Sequence, residues 1–311
     1  MKGCGFVVPM LIGLPLFGCT AVDAVTLKQS IESPAICSET RSEAIYNRTG
    51  HPVTVQEAMR HISSADYVLA GEIHTNPAHH DIQAHLVEEL ARRNRFRAVL
   101  FEMLEPRHDV VVASFTDGVT SIQQLESALQ WGERGWRLWE SYAPIFLSAK
   151  RGRLEVAHAG MDAELMRHVN QFGTLALPRR LREALGMAKD GEFVVNFEHL
   201  KAEVERSHSS TEAPAARLAV SQYVKDAYMA YRLASLGGPA ILIAGNTHVR
   251  SDIGVPPHLR KYKPGARIVS VGMIDGAGRG GSVQQLIKQD GKPPYDFVWS
   301  TSSPCGASLA K

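Results

Sequence analysis

Two short apolar runs that end in the same four-residue pattern limit what this chain can fold into. Tyr67-Val68-Leu69-Ala70 leads into Gly71-Glu72-Ile73-His74, and Ala240-Ile241-Leu242-Ile243-Ala244 leads into Gly245-Asn246-Thr247-His248. Short apolar runs bounded by Gly and Pro read as buried strands. In open α/β sheets, ligands sit at the carboxyl ends of the strands. A strand that is apolar along its length and polar just past its end therefore presents its Glu and His where a site is built. The pattern predicts that His74 and His248, far apart in sequence, face one cleft.

The remaining pattern fits an α/β frame. From 67 to 115 it reads strand, helix, strand, helix. Asn76-Pro77 suits an N-cap and first helical position, and Ile82, Leu86 and Leu90 then share one face. Arg97 to Phe101 is the next strand, ending in Glu102, and Pro106 opens a further helical stretch. Residues 121–150 read as helical, with Trp136, Trp139 and Phe146 near one face and Tyr142 close by. Leu154 to Ala157 reads as a strand that ends in His158. From about 161 to 236 the chain reads mainly as helix, interrupted by the polar stretch Ser207 to Pro214. Val220, Val224, Ala227, Tyr231 and Ala234 mark the core face of its last helix, which Gly237-Gly238-Pro239 stops. Arg267 to Met273 and Tyr295 to Ser300 are two further strands. Strands separated by helices imply a largely parallel sheet flanked by helices, and the surplus of helices near 161–236 implies a smaller helical subdomain. Gly276 to Gly281 reads as a loop and not a phosphate cradle, because no clear helix follows it.

At 311 residues the chain suits one large domain, or one with a small lobe. A net charge of +2 gives no indication of a nucleic-acid partner. Thirteen histidines suit a metal or haem protein, although surface histidines account for many such excesses. Residues 1–18 stand apart: Lys2 is the only charge, Phe6 to Phe17 is mostly apolar, and Leu16-Phe17-Gly18-Cys19 matches a bacterial lipobox. Pro9 and Pro15 break the stretch, which is also too short for a good transmembrane helix. The expectation is cleavage after Gly18 and lipid on Cys19, with an ordinary secretory signal as the alternative. Several acyl chains, at about 0.8 kcal/mol per buried methylene, anchor a protein stably. Thr20 in place of Asp points to the outer membrane, with the domain facing the periplasm. Residues 19–50 then form a lipidated tether and 51–305 the domain. Cys4 leaves with the signal, so Cys37 and Cys305 remain, and in an oxidising compartment they are candidates for a disulfide.

Four strand ends present polar groups: Glu72 with His74, Glu102, His158, and Asn246 with His248. Two carboxylates and two histidines can do three kinds of work. Glu72, His74 and His248 can hold a divalent metal, whose bound water is acidified to a pKa near ~7. A Glu that orients a His can let the imidazole take a proton from water. Or the set is a buried polar network that only holds loops. His79 and His80 open the following helix, where the dipole disfavours imidazolium and a neutral ring is expected, either as a ligand or packed locally.

These motifs, taken together, resemble one family. Val68-Leu69-Ala70-Gly71-Glu72-Ile73-His74-Thr75-Asn76-Pro77-Ala78-His79-His80 is similar to the opening signature of the ChaN family of haem-binding lipoproteins. Phe101-Glu102-Met103, Trp139-Glu140-Ser141-Tyr142-Ala143-Pro144-Ile145, Lys225-Asp226-Ala227-Tyr228-Met229-Ala230, Ala244 to Arg250 and Gly254-Val255-Pro256 resemble its later segments, in order. The resemblance implies a parallel sheet flanked by helices, kinship with Tiki and TraB proteins and, more distantly, with erythromycin esterases. It implies haem as the cofactor, a role in haem and iron acquisition, a homodimer, a tyrosine axial ligand and exchange with haem-transporter components. The candidates for that ligand are Tyr223, Tyr228, Tyr231, His199 and His208, none singled out by spacing. Some relatives are hydrolases with Glu and His at positions matching Glu72, His74, Glu102 and His248. Hydrolysis of an ester or peptide bond, with or without a metal, is thus the alternative function. One departure is His158-Ala159-Gly160, where relatives often carry Asn after the third strand.

Overall fold

The computed structural model describes residues 43–187, 193–207, 214–276, 283, 285–286, 291 and 293–301. The signal segment, Cys19, Cys37, His208 and Cys305 lie outside these residues, as does most of the glycine-rich stretch. Among the described residues, eight strands form one sheet. They are β1 (Glu43–Asn47), β2 (Pro52–Val53), β3 (Tyr67–Ala70), β4 (Ala98–Phe101), β5 (Glu155–His158), β6 (Ala240–Ile243), β7 (Ile268–Asp275) and β8 (Phe297–Thr301). Their spatial order is β2-β1-β8-β7-β3-β6-β4-β5. β7 pairs parallel with β8 and with β3, and β3-β6-β4-β5 continues in parallel. β1 runs antiparallel to both of its neighbours.

The central strands are short and apolar because both faces are covered, as parallel sheets require. Their period of two divides the core. Val68, Ala70, Val99, Phe101, Ile241 and Ile243 point into one layer, while Tyr67, Leu69, Ala98, Leu100, Ala240 and Leu242 point into the other. The helices are α1 (Val55–Ile62), α2 (Pro77–Ala91), α3 (Asp109–Thr116), α4 (Ile122–Leu129), α5 (Trp139–Arg151), α6 (Ala163–Phe172), α7 (Arg179–Ala184), α8 (Phe197–Ser207), α9 (Ala215–Leu236), α10 (Asn246–Val249) and α11 (Val255–Tyr262). α2 starts as its sequence predicts, with the Asn76 side chain accepting from the Ala78 N–H and Pro77 in the first turn. α6, α8 and part of α9 enclose a third apolar cluster, which is the smaller helical part. No described helix is long and apolar enough to cross a membrane.

Three expectations need correction. Residues 43–47 are not tether: Ile45 is buried, and β1 joins the sheet through β8, so the domain begins before residue 51. The helical stretch 121–150 is two helices. Gln130 and Leu138, at φ 50° and 56°, bound the break, and Trp136 lies in the loop between them. On α9 the buried surface is wider than one stripe. Tyr223, Val224 and Ala227 face the helical cluster, while Met229, Ala230 and Leu233 face the sheet.

The strand order places the site. β6 lies between β3 and β4, so three adjacent parallel strands end side by side. The ladder runs on past the strands: Gly71 N–H donates to Val271 O, Glu102 N–H to Ile243 O, and Asn246 N–H to Glu72 O. The first glycine of each repeated pattern allows a close approach. A Cβ on Gly71 would stand 2.4 Å from Asn246 Oδ1 and 2.7 Å from Val249 Cγ2, and one on Gly245 would meet His74 Nε2 at 3.1 Å.

Gly160 is tighter still, because the obstacles are backbone. A Cβ there would lie 2.2 Å from the Glu102 carbonyl oxygen and 2.6 Å from that of Leu104. Gly160→Ala is expected to destabilise the fold by roughly 1–3 kcal/mol, the usual range for overpacking. Urea denaturation of the variant beside the parent measures this, and an unchanged midpoint would contradict the geometry.

Candidate functional site

Glu72 and Glu102 stand just past the ends of β3 and β4, and each holds a histidine. Glu72 is almost fully buried. Its Oε1 lies 2.6 Å from His74 Nδ1 and accepts the hydroxyl hydrogen of Tyr142 from α5. Glu102 Oε2 accepts the Gly245 N–H at 2.9 Å, and its Oε1 is 3.0 Å from His248 Nε2. The other nitrogen of His248, Nδ1, lies 2.5 Å from Asp226 Oδ1 on α9, with the Gln222 amide 2.8 Å away. His74 Nε2 faces Glu102 Oε2 at 3.8 Å and joins the two sets into one cluster.

The charges follow from this packing. Burial works against a charged His248, but Glu102 on one side and Asp226 on the other outweigh it and raise its pKa to about 9. Burial pushes Asp226 up to about 6 against the opposing pull of His248. Burial also works against a charged Glu102, yet His248, His74 and Lys225 together hold its carboxyl well below the ordinary range. For His74, burial is again opposed, here by the Glu72 hydrogen bond and the charge of Glu102, and its pKa rises. The side chain of His74 is 38% exposed while the Glu72 side chain is fully buried, so His74 is the member that solvent reaches.

His79 and His80 are spent locally. His79 Nδ1 accepts the Ile73 N–H at 2.9 Å, and burial pulls its pKa down to about 4. His80 Nδ1 lies 2.6 Å from Ser141 Oγ, whose hydroxyl is committed to Leu138 O, so the ring hydrogen sits on Nδ1. His80 Nε2 then faces Glu72 Oε2 at 3.4 Å, close but not aligned for a hydrogen bond, and both atoms lack a partner among the described residues. Two buried acceptors face each other there, with room for one proton.

Of the strand-end groups, His158 does not join the cluster. Its Nδ1 is 2.7 Å from Asp109 Oδ2 and its Nε2 is 3.2 Å from the Tyr228 hydroxyl. Asn246 is a structural clamp: its amide oxygen accepts the Met273 N–H and its amide nitrogen donates to Met273 O. Glu72, His74 and His248 are not arranged as a metal triad, because both His248 nitrogens and His74 Nδ1 are engaged by carboxylates. Among the described residues no group of three His, Cys, Asp or Glu side chains has the geometry to hold a metal ion.

The haem-ligand candidates scatter. Tyr223 is buried inside the helical cluster, its hydroxyl accepting the Val194 N–H. Tyr228 is buried against His158. His199 is partly exposed and lies 3.9 Å from Asp252. Tyr231 is partly exposed on α9, with Tyr262 and Tyr228 beside its ring.

Asp226, Gln222 and Tyr142 belong to the cluster, and reading the chain by strand ends misses all three; His80, read as a ligand or a locally packed ring, packs on Ser141 beside Glu72. The available signal is an Asp amid apolar residues in the middle of α9, a position where an unpaired carboxylate would not be buried. The cluster forms part of the floor of a cleft of about 460 Å³, closed on its sides by α6, α9 and the loop carrying Arg134 and Trp136.

Residues 58–259 match the model of the family described as haem-binding uptake, Tiki superfamily, ChaN. A structure of ChaN of Campylobacter jejuni, described as binding heme cofacially, superposes with a TM-score of 0.64 at 18% identity, covering 84% of this chain and 97% of that one. An erythromycin esterase variant in its open conformation aligns with a TM-score of 0.47 at 11% identity, over 86% of this chain and 99% of that one. A search of curated proteins finds no significant match.

The His248 sandwich makes a pH prediction. Its folded pKa of about 9 lies above the 6.5 of a free imidazole, so its contribution to stability is complete below pH 6.5 and is lost as pH rises through 9. In ¹⁵N-histidine spectra, one ring is expected to stay doubly protonated until about pH 9. Asp226→Asn should move that titration to lower pH, and a parent in which no ring stays doubly protonated above about pH 8 would refute the assignment.

Proposed function

Because this chain belongs to the ChaN family of haem-binding uptake proteins in the Tiki superfamily, we propose that it binds haem as cargo in haem and iron acquisition. The observation that carries the reading is the family match across residues 58–259, which takes in the strands β3 to β6, the cluster and the helical part. The residues present suit such a ligand. Tyrosine oxygen is a known axial donor to haem iron, and the Tyr231 hydroxyl is on a partly exposed side chain with no hydrogen-bond partner among the described residues. Tyr223 and Tyr228 are buried with their hydroxyls engaged, which makes Tyr231 the first candidate and His199 the second. His208 remains a candidate outside the described residues.

The reading includes location and partners. Lipid on Cys19 would hold the domain on the periplasmic side of the outer membrane, and a second copy would close over the haem. Transporter components would then take it up or deliver it. The motif Leu16-Phe17-Gly18-Cys19 supports the anchor, and the cofacial heme described for the Campylobacter jejuni protein supports the pairing.

Haemin titration tests the cargo. A saturable Soret shift is expected, lost or strongly blue-shifted in Tyr231→Phe, with a change from monomer to dimer in sedimentation velocity. Unsaturable haemin uptake would overturn the reading. Radiolabelled palmitate should enter the parent and not Cys19→Ala.

One observation favours a second reading, hydrolysis of an ester or amide. His74 is oriented by Glu72, faces Glu102 and is the solvent-reached member of the cluster, and Trp136, edge-on to its ring, lines the neighbouring cleft with Glu102 and Gln222. An imidazole so held can take a proton from an attacking water. His74→Ala should then lower turnover of p-nitrophenyl esters by at least about a hundredfold in a variant that still gives the parent's circular dichroism. Equal turnover in parent and variant would remove this reading.

A further inference from the structure

The cleft beside the cluster carries more positive charge than its own carboxylates match. Four basic side chains line it, Arg107, Arg134, Arg167 and Lys225, against two acidic ones, Glu102 and Glu105. Glu105 is matched by Arg134 at 2.8 Å and by Arg107 at 3.4 Å. Glu102 is matched by His248 at 3.0 Å. Arg167 on α6 and Lys225 on α9 are left over, and neither has an ion pair or hydrogen bond among the described residues. Lys225 is half-buried, and its charge acts on Glu102 only from beyond ion-pair range.

The surface beside these two cations is apolar. Met161, Met166 and Met229 line the cleft, each less than a tenth exposed, with Leu218 beside them and Trp136 on the opposite wall. Thioether side chains repack around irregular apolar shapes. The volume of about 460 Å³ is that of a small-molecule site, whose usual anatomy is an apolar lining with a few convergent polar groups. We infer that this cleft binds an apolar molecule bearing one or more carboxylates, its body against the three methionines and its anionic end on Lys225 and Arg167. Two sources share that chemistry: a porphyrin with its propionates and a fatty acid. The porphyrin arm rests on the haem reading and the fatty-acid arm does not, so the two probes separate a failure of this inference from a failure of that reading.

The test uses the chain without residues 1–19, which keeps every described residue, and two iron-free probes, protoporphyrin IX and dodecanoate, followed by calorimetry. Saturable 1:1 binding of at least one is expected. Porphyrin alone would identify the cleft as a cargo site, and dodecanoate alone as a lipid-acid site. The double variant Lys225→Met, Arg167→Met should weaken binding at least roughly tenfold, the loss expected for charge-assisted hydrogen bonds. Arg60→Met, on the exposed face of α1, should leave it unchanged. Methyl-labelled methionine spectra of the parent locate the ligand without any variant: the signals of Met161, Met166 and Met229 should move, and those of Met59, Met103 and Met273 should not. No saturable binding of either probe, binding that leaves the three cleft methyls unmoved, or full affinity in the double variant would each overturn the inference.

Discussion

The Glu102 carboxylate ties together three segments that the sequence keeps far apart. One oxygen accepts the Gly245 N–H at the end of β6, and the other meets His248 on α10. The same group faces His74 beyond β3. Burying a carboxylate alone costs several kcal/mol, so Glu102 is tolerable only because donors converge on it. His248 is in turn tolerable because Asp226 closes its other side. The order carboxylate, imidazolium, carboxylate spreads one positive charge between two negative ones in a region with little water. Removing any one member leaves the next uncompensated, which is why the cluster acts as a unit and why α9 is docked where it is.

That docking explains how one helix serves three surroundings. Within α9, Tyr223 and Ala227 pack into the helical cluster, Met229 and Leu233 pack on the sheet, and Asp226 and Gln222 reach the His248 ring. A helix with a single apolar stripe could not do this. The apolar positions of α9 therefore read ambiguously in sequence, and Val220, Tyr231 and Ala234 are only partly buried although they share the predicted face.

What could be read from the chain is what local physics dictates. β3 and β6 are legible because a strand covered on both faces must be continuously apolar, and Gly71 and Gly245 are legible because no other residue fits against Asn246 and His74. The pairing of Glu72 with His74 and of Glu102 with His248 follows from adjacent strand ends. Asp226 escapes because its apolar neighbours on α9 mark it as buried but do not say that its partner is a histidine 22 positions later. His158 misleads for the opposite reason: it occupies the predicted strand end, but Asp109 captures its Nδ1 and turns it toward Tyr228. β1 escapes because Glu-Ala-Ile-Tyr-Asn is polar at both ends and has one fully buried side chain, Ile45, to mark its register.

The two functional readings make different demands on the same frame. Haem carriage asks for an accessible donor on a surface that a partner can cover, and Tyr231 lies on the outer part of α9. Chemistry at His74 asks for a walled space over a preorganised base, and the cleft lies where α9 and α6 lean over the strand ends. A fold hosts such functions independently, but here α9 belongs to both. It carries Tyr231 near one end, Asp226 and Lys225 between about one and two turns earlier, and Gln222 about two and a half turns earlier. Any ligand that shifts α9 along its axis would therefore disturb the Asp226–His248 contact of 2.5 Å. A rigid coupling of this kind predicts that occupancy at the helix surface is felt in the charge state of the buried cluster, which keeps the two ends of the helix from evolving separately.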